Sequence, residues 1–213
     1  MYESKKKNYA HMGASLCKTL EKRGFKAQYA ATAEDAKNII AALIEDGASV
    51  GVPGTVTVRQ IGLMEALAAK GCKVVHHWDP ALTREARLKV LMDEMNTDWY
   101  VTSSNAVSMD GSLVNIDGTG NRVAVMSWAL GKIIYVIGVN KITGDLESAM
   151  DRARNIASPA NAIRTGAQTP CTKLGHCIDC DSPGRICNVF TIIERCPIGR
   201  ECHVIVVGED LGY

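Results

Sequence analysis

The sequence predicts an α/β protein built on a mostly parallel sheet. Short apolar runs such as KVVHHW (73–78) and KIIYVIGV (132–139) have the length of strands, and they alternate with amphipathic stretches of helical period. Strands separated by helices of ~10–15 residues form βαβ units, whose strands run parallel. Three strand-like runs between glycine turns, at 111–117, 122–128 and 132–139, add antiparallel strands in or beside that sheet.

The remaining elements follow from caps, glycines and apolar spacing. Thr32-x-x-Asp35 and Thr57-x-x-Gln60 resemble capping boxes and open two of the helices. In the helix at 83–96, Leu88, Leu91, Met92 and Met95 are predicted to face inward. Helices are predicted at 4–23, from Thr32 to Gly47, from Thr57 to Gly71, at 83–96 and from Asp145 to Pro159. Further strands are predicted at 25–30, 49–54, 98–108 and 203–213, with 98–108 running into a polar loop.

The composition argues against several classes of protein but does not identify a function. The 213 residues carry a formal net charge of +1, so no basic excess favours a nucleic-acid partner. The N-terminus lacks the apolar core of a signal peptide, and no stretch approaches the ~20 apolar residues of a membrane span. The default expectation is a cytoplasmic protein, in which thiols stay reduced. A homo-oligomer is left open.

The last quarter of the chain is unusually rich in cysteine. Six of the eight cysteines lie between Cys171 and Cys202. We therefore expect an α/β domain of residues 1–165 plus 203–213, on which the helices of 1–47 pack, and a loop-rich, Cys-rich segment at 166–202. The tight Cys177-x2-Cys180 pair lets two thiolates point at one ion. The predicted metal ligands are Cys171, Cys177, Cys180 and Cys187.

The cysteine spacing leaves several interpretations open. It predicts an iron–sulfur cluster or zinc, but it does not match the common ferredoxin runs. Reduced structural thiols and disulfide or redox-sensing pairs are the alternatives. Cys196 and Cys202 are expected to be either structural thiols or alternative metal ligands. Cys17 and Cys72 are expected to be buried free thiols.

Three polar loops follow predicted strands, where open α/β sheets place their ligands. They lie at 52–60, 103–111 and 115–122, and a plain turn role is the alternative for each. No GxGxxG or Walker pattern is present, so no nucleotide cofactor is indicated. If the protein is an enzyme, Asp110 or Asp117 is the ionising group, and at most one of His76 and His77 faces the site. The predicted substrate-binding residues are Gly54, Thr55, Thr57, Asn105, Gly118, Asn121, Arg122, Asn140 and Lys141.

Four stretches of the sequence resemble the LUD-domain, or lactate-utilisation, family. They are SSNAVSMDGSLVNIDGTGNRVAVMSWALGKIIYVIGVNKIT (103–143), VGVPGTVTVRQIGL (50–63), VIVVGEDLGY at the end and TPCTKLGHCIDCDSPGRICN (169–188), the last similar to its short stand-alone branch. The resemblance implies a fold like the sugar-phosphate isomerase and CoA-transferase group: a Rossmann-like, mostly parallel sheet with a small antiparallel lobe. Its better-known members belong to an iron–sulfur system that oxidises lactate to pyruvate. The first loop here reads VPGT where many family motifs carry Gly-Gly-Ser, so lactate itself is not carried over to this chain.

Three function classes follow from the loops, the cysteines and the resemblance. The first is a LUD-type protein, linked to lactate or organic-acid utilisation and redox metabolism, that binds a small carboxylate or phosphorylated metabolite. The second is a non-catalytic electron-transfer or assembly subunit that holds a Cys-ligated centre for a redox partner. The third is an isomerase- or transferase-like enzyme, suggested by fold analogy alone. Whether the chain is catalytic is not decided by its sequence.

Overall fold

Two sheets form the framework of the computed structural model, which describes residues 2–128 and 130–213. The strands are β1 (Lys26–Ala30), β2 (Ser49–Gly51), β3 (Lys73–Val75), β4 (Trp99–Thr102), β5 (Ala106–Ser108), β6 (Leu113–Asp117), β7 (Lys132–Gly138), β8 (Ile142–Thr143), β9 (Val189–Ile193) and β10 (Cys202–Val207). The helices are α1 (Glu3–Lys22), α2 (Ala33–Leu43), α3 (Val56–Gln60), α4 (Leu63–Ala69), α5 (Arg84–Met95), α6 (Asn121–Ser127), α7 (Leu146–Arg152), α8 (Ser158–Thr165) and α9 (Cys171–Leu174).

The larger sheet has six strands in the order β1-β10-β7-β4-β2-β3, and all of its pairs are parallel. Every residue of β10 is buried, as is all of β7 after Lys132. Such continuous burial is typical of parallel strands that are covered on both faces. The carboxyl ends of these strands therefore meet along one edge of the sheet.

The smaller sheet has four strands in the order β8-β5-β6-β9. β6 pairs antiparallel with β5 and β9, whereas β5 pairs parallel with β8. Together the two sheets confirm the predicted fold class, a Rossmann-like α/β arrangement with a small second lobe. The division into an α/β domain and a Cys-rich segment stays a prediction, but β9 shows that the segment contributes a strand the sequence analysis did not predict.

Helices cover both faces of the larger sheet. On one face, Leu16 and Leu20 of α1 pack with Val123 and Met126 of α6. On the other, α2, α3 and α4 pack over the sheet around residues such as Ile40. Two predicted helix starts are confirmed: Thr32 and Asp35 form a capping box, and Asp145 caps α7 through Ser148 N.

Four predicted element assignments were wrong. The run 122–128 forms helix α6 instead of a strand; it begins after Gly120, whose φ of +85° is left-handed. Short apolar runs fit a buried strand and a buried helix equally well. The run 98–108 is divided between β4 and β5, which belong to different sheets. The helix expected from Thr57 to Gly71 is divided at Gly62 into α3 and α4, and the final strand ends at Val207.

Three finer expectations also fail. The Thr57–Gln60 capping box is absent: Thr55 precedes α3, and Gln60 Oε1 accepts from Gly212 N. Pro159 does not end its helix, since a π-helical turn at 153–157 leads into α8 and the proline occupies the first turn, where a missing N–H costs little. In α5, Leu88 and Met92 are exposed, and the buried side chain is Glu94.

Across residues 2–128 and 130–213, no helix combines the length and the apolar character needed to cross a membrane.

Gly51 of β2 tests the close packing between the sheet and α5. A Cβ at this position would overlap the backbone oxygen of Glu94 and lie 2.8 Å from Thr97 Oγ1. We expect Gly51→Ala to lower the free energy of unfolding by roughly 1–3 kcal/mol, because the crowded backbone must shift. Gly144→Ala is the matched control, since a Cβ there meets nothing within 4 Å. Urea titrations that give equal midpoints for the two variants would contradict this packing.

Candidate functional site

A polar cleft of about 250 Å³ lies at the carboxyl ends of the larger sheet. Its walls come from the segments that follow β2, β3, β4, β7 and β10, and from the loop that joins β6 to α6. Open α/β sheets bind ligands at this edge. The residues that line it include Gly54, Thr55, Thr57, His77, Ser103, Asn105, Asp117, Gly118, Asn121, Arg122, Lys141, Arg164, Ile186 and Tyr213.

The structure brings most of the predicted site residues together in this cleft. Among the carboxylates, Asp117 lines the cleft and Asp110 does not. The predicted substrate-binding residues that line it are Gly54, Thr55, Thr57, Asn105, Gly118, Asn121, Arg122 and Lys141.

Asp110 and Asn140 serve other parts of the fold. The Asp110 carboxylate accepts hydrogen bonds from Ser108 Oγ and Ser112 N in the β5–β6 turn, and these bonds lower its pKa. Asp110 therefore lies outside the cleft that Arg122 lines, and the prediction that it is the ionising group of an enzyme stays a prediction. Asn140 Oδ1 accepts from Leu211 N at 3.0 Å, so the side chain holds the C-terminal segment.

Lys141 is the most unusual ionisable group of the cleft. Its side chain is buried, with 3% of the residue exposed, and Nζ donates to Thr57 Oγ1 at 2.9 Å and Ser103 Oγ at 3.0 Å. Within the described residues, no carboxylate lies within ion-pair distance of Nζ. Burial lowers the pKa of Lys141 to about 7, and the nearby Arg152 and Arg122 cations add to the decrease. A lysine of this kind changes charge near neutral pH.

Arg122 is the opposite case, because its guanidinium is satisfied by the protein. NH1 donates to Ser103 O at 3.1 Å and to Asn115 Oδ1 at 3.0 Å. NH2 donates to Asn105 Oδ1 at 3.0 Å and to Ile116 O at 2.8 Å, and Nε lies 3.6 Å from Asp117 Oδ2. NH1 and NH2 thus donate to four protein acceptors, and Nε lies within ion-pair distance of the Asp117 carboxylate. In this arrangement NH1 and NH2 have no free pair of N–H groups for a bidentate contact with a substrate carboxylate.

The loop from Asp117 to Asn121 is held by its own hydrogen bonds. Asp117 Oδ1 accepts from the backbone N–H groups of Thr119 and Gly120, each at 3.2 Å, and Thr119 Oγ1 donates to Asn121 Oδ1 at 2.6 Å. The two bonds that Asp117 Oδ1 accepts are the local turn hydrogen bonds expected of an Asp-Gly pair. Asp117 Oδ2, paired with Arg122, leaves the carboxylate tied to the protein on both oxygens.

Several residues that line the cleft lie outside the predicted site residues, and three of these contributors bring a charged or aromatic side chain. His77 lines it after β3, with its Nδ1 2.7 Å from Glu94 Oε1. Arg164 of α8 brings a further cation to the mouth, where Asn161 Oδ1 accepts from its Nε and NH2. The third is the C-terminal segment, which ends in Tyr213. The alternation argument did point to one of His76 and His77, but Arg164 and Tyr213 left no signal in the sequence.

The C-terminal segment lies directly against Lys141. Gly212 has a left-handed φ of +60°, and a Cβ there would overlap Thr57 Oγ1 and lie 3.1 Å from Lys141 Nζ. Gly212 N donates to Gln60 Oε1 at 2.8 Å, which fixes the segment over α3. Only glycine fits here without displacing the lysine.

The match to a family model covers most of the chain. The model described as LUD domain matches residues 14–207. The chain belongs to the LUD domain family. LUD domains are linked in general to lactate utilisation. No curated protein matches the sequence.

The fold of this LUD domain is similar to that of a relative whose structure has been solved. A crystal structure of a DUF162 family protein from Deinococcus radiodurans aligns with a TM-score of 0.54 at 16% identity, covering 93% of this chain and 98% of that chain. At that identity the likeness concerns the fold alone. Two weaker alignments carry no further inference. They are eIF2B beta from Chaetomium thermophilum (TM-score 0.38, 16% identity, 54% and 44% covered) and a D-ribose-5-phosphate isomerase in complex with phospho-erythronic acid (TM-score 0.36, 17% identity, 54% of each chain).

The Cys-rich segment of this LUD domain encloses a second, much smaller cavity of about 20 Å³. Cys171, Cys177, Cys180 and Cys187 all line it, and Ile186 lines both this cavity and the cleft. Asp179 N donates to Cys177 Sγ at 3.3 Å. Hydrogen bonds from Ser182 lower the pKa of Cys180, whereas burial raises the pKa of Cys187.

The four thiols share a cavity without forming a metal centre as they stand. In the part of the chain that the structure describes, no group of three or more His, Cys, Asp or Glu side chains is arranged to hold a metal ion. Arg185 gives the loop its shape instead: it donates to Cys180 O at 2.6 Å and Cys187 O at 3.0 Å, and it pairs with Asp179 at 2.8 Å. The predicted Fe–S cluster or zinc ion therefore stays a prediction.

Lys141 should leave a signature in the pH dependence of stability. Folding lowers its pKa from 10.5 to about 7, so between these pH values the unfolded chain binds a proton that the folded chain does not. Stability therefore rises with pH across this window, at up to about 1.4 kcal/mol per pH unit, and Lys141→Met should remove that rise. The measurement is urea unfolding at several pH values. The exposed Lys18→Met is the control, and an equal slope for wild type and Lys141→Met would contradict the lowered pKa.

Proposed function

We propose that this LUD domain binds a small carboxylate or phosphorylated metabolite in the cleft, and that Lys141 is the group that recognises the anion. The single observation behind the proposal is the buried Nζ of Lys141, whose hydrogen-bond partners among the described residues are two hydroxyls, Thr57 Oγ1 and Ser103 Oγ. A buried ammonium without a counterion is costly, and an anionic ligand would remove that cost.

The charges around the cleft support the same ligand class. Lys141, Arg122 and Arg164 line it, whereas the only carboxylate side chain among its described lining residues is Asp117, which is already paired with Arg122. An excess of cations with low-dielectric walls raises the local concentration of anions. The family's general link to lactate utilisation suggests a small organic acid among the candidates. Asn105 and Thr55 add polar groups that would orient such a ligand.

Binding is to be measured by calorimetry with lactate, pyruvate and inorganic phosphate as separate probes. We expect at least one probe to bind, and Lys141→Met to weaken its binding by about tenfold or more, because a hydrogen bond to a charged group is lost. The Lys18→Met control should bind as wild type does. Undiminished binding by Lys141→Met, or no measurable binding of any of the three probes to wild type, would contradict the proposed function.

A second candidate function is metal binding by the Cys-rich segment, with the domain serving as an electron-transfer or assembly subunit. The observation that favours it is the common cavity lined by Cys171, Cys177, Cys180 and Cys187. The N–H donated to Cys177 Sγ and the lowered pKa of Cys180 both favour thiolates, the form that binds zinc and iron. Binding would require the thiols to move closer together.

Metal analysis of anaerobically purified protein tests this candidate. If it is right, zinc and iron together amount to about one equivalent, and Cys180→Ser lowers that content to less than half, since one of four ligands is lost. Cys196→Ser is the control, because its thiol lies outside the cavity. A metal content near zero in wild type, with proteolysis of residues 166–202 unchanged by a chelator, would exclude the centre.

A further inference from the structure

A buried histidine–glutamate pair forms part of the cleft wall. His77 Nδ1 lies 2.7 Å from Glu94 Oε1, with 17% of the His77 side chain and 1% of the Glu94 side chain exposed. Neither residue takes part in recognition of the anion by Lys141. A buried carboxylate without a partner would be strongly unfavourable, so Glu94 is directed at His77 and nowhere else among the described residues.

The position of Glu94 is fixed by the packing of α5 against the sheet. Thr97 Oγ1 bonds to the backbone oxygens of Glu94 and Trp99 and also accepts from Gly51 N at 3.0 Å. Gly51 permits this approach, since any side chain there would overlap Glu94 O. The Glu94 backbone is therefore held in place, which positions its side chain toward His77, as a group that orients another residue requires.

The other nitrogen of His77 faces the cleft. Burial raises the pKa of Glu94, and the hydrogen bond to His77 opposes that increase. When Glu94 is ionised it can only accept, so Nδ1 then carries the proton and neutral His77 presents the lone pair of Nε2. Nε2 lies 3.9 Å from the position a Cβ would take at Gly54, in the first cleft loop. Within residues 2–128 and 130–213, no protein group forms a hydrogen bond with Nε2. A ligand in the cleft can therefore reach this nitrogen.

We propose that His77 and Glu94 are a proton-transfer dyad, in which His77 is a catalytic base and Glu94 its positioning residue, acting on a carbonyl-containing anion. This inference rests on the proposed function, because Lys141 is taken to hold the anionic end of the same ligand. It makes the cleft an active site instead of a binding site alone.

The step is a proton transfer that needs no further reactant. Nε2 takes the proton from a C–H beside the ligand's carbonyl group, the C–H electron pair becomes the enolate, and the imidazolium is stabilised by the Glu94 carboxylate through Nδ1–H. Returning the proton to carbon restores the ligand, with hydrogen exchanged for solvent hydrogen. The other charged groups of the cleft are Lys141, Arg122 and Arg164, which favour the enolate, and Asp117, which is paired with Arg122.

The dyad itself is tested without any ligand, by the rate of carbethoxylation of each histidine at a fixed pH, read by mass spectrometry. The Glu94 carboxylate orients the imidazole through Nδ1–H, so Glu94→Gln should change the rate at His77 by about threefold or more. Glu85→Gln, which alters an exposed carboxylate of the same helix, should leave that rate unchanged. Nitrogen NMR of neutral His77 in wild type should show the Nδ1–H tautomer. An unchanged rate in Glu94→Gln, or the Nε2–H tautomer, would overturn the dyad.

The catalytic part is tested by deuterium exchange in D₂O, with pyruvate and dihydroxyacetone phosphate as probes that each carry a C–H beside a carbonyl. Wild type should accelerate exchange in a probe that binds in a Lys141-dependent manner, and His77→Gln should reduce that acceleration by about 100-fold with binding retained. His11→Gln, on the exposed face of α1, is the control. A probe that binds but exchanges at the solvent rate overturns the catalytic role. Failure of both probes to bind counts against the proposed function, and the carbethoxylation and NMR results then decide the dyad.

Discussion

One buried guanidinium, that of Arg122, joins the two sheets, and the shape of the cleft depends on it. Its donors reach Ser103 O at the end of β4 and Ile116 O in β6, so one side chain spans the larger and the smaller sheet. Asn105 and Asn115 complete the set of acceptors. A largely buried cation whose NH1 and NH2 groups are all bonded specifies one arrangement, because any other leaves a charge unpaired at a cost of several kcal/mol. The ligand site is thus preformed by a residue whose NH1 and NH2 donors are already engaged by the protein.

Arg122 has a structural role and Lys141 a proposed ligand-binding role, and the sequence alone could not distinguish the two. Lys141 is buried and Arg122 largely so, yet Arg122 is surrounded by acceptors, whereas within residues 2–128 and 130–213 Lys141 Nζ bonds to two hydroxyls alone. The fold tolerates Lys141 because burial lowers its pKa to about 7, which lets the ammonium lose its proton instead of remaining charged without a partner. The Thr57 and Ser103 hydroxyls can accept from one form or donate to the other. A protein selected for stability alone would place an apolar side chain there.

The sequence was most informative about strands and about the residues that follow them. Asn105 and Asp117 were predicted as site residues because the carboxyl ends of parallel strands meet at one edge, and both line the cleft. That reason holds for Asn105, which follows β4, whereas Asp117 ends β6, an antiparallel strand of the smaller sheet. The α6 error arose because a seven-residue apolar run fits a strand as well as a helix. The burial of Glu94 could not have been predicted, because the sequence of a polar helix indicates a surface charge until the partner of that charge elsewhere in the fold is known. The position of Arg164 was not predicted for the same reason, since only tertiary packing brings it to the cleft.

The position of β10 has a consequence for how the molecule folds. β10 lies between β1 and β7, so a strand from near the C-terminus closes the sheet next to one from near the N-terminus. Parallel pairings between distant parts of a chain form slowly. The intervening chain must first close into a loop, which costs conformational entropy, before the stabilising contacts can form. Until residues 202–207 insert, β1 and β7 each present an open edge, and open edges template pairing with other chains. During synthesis, competition between insertion of β10 and aggregation therefore decides how much of the protein reaches its native state.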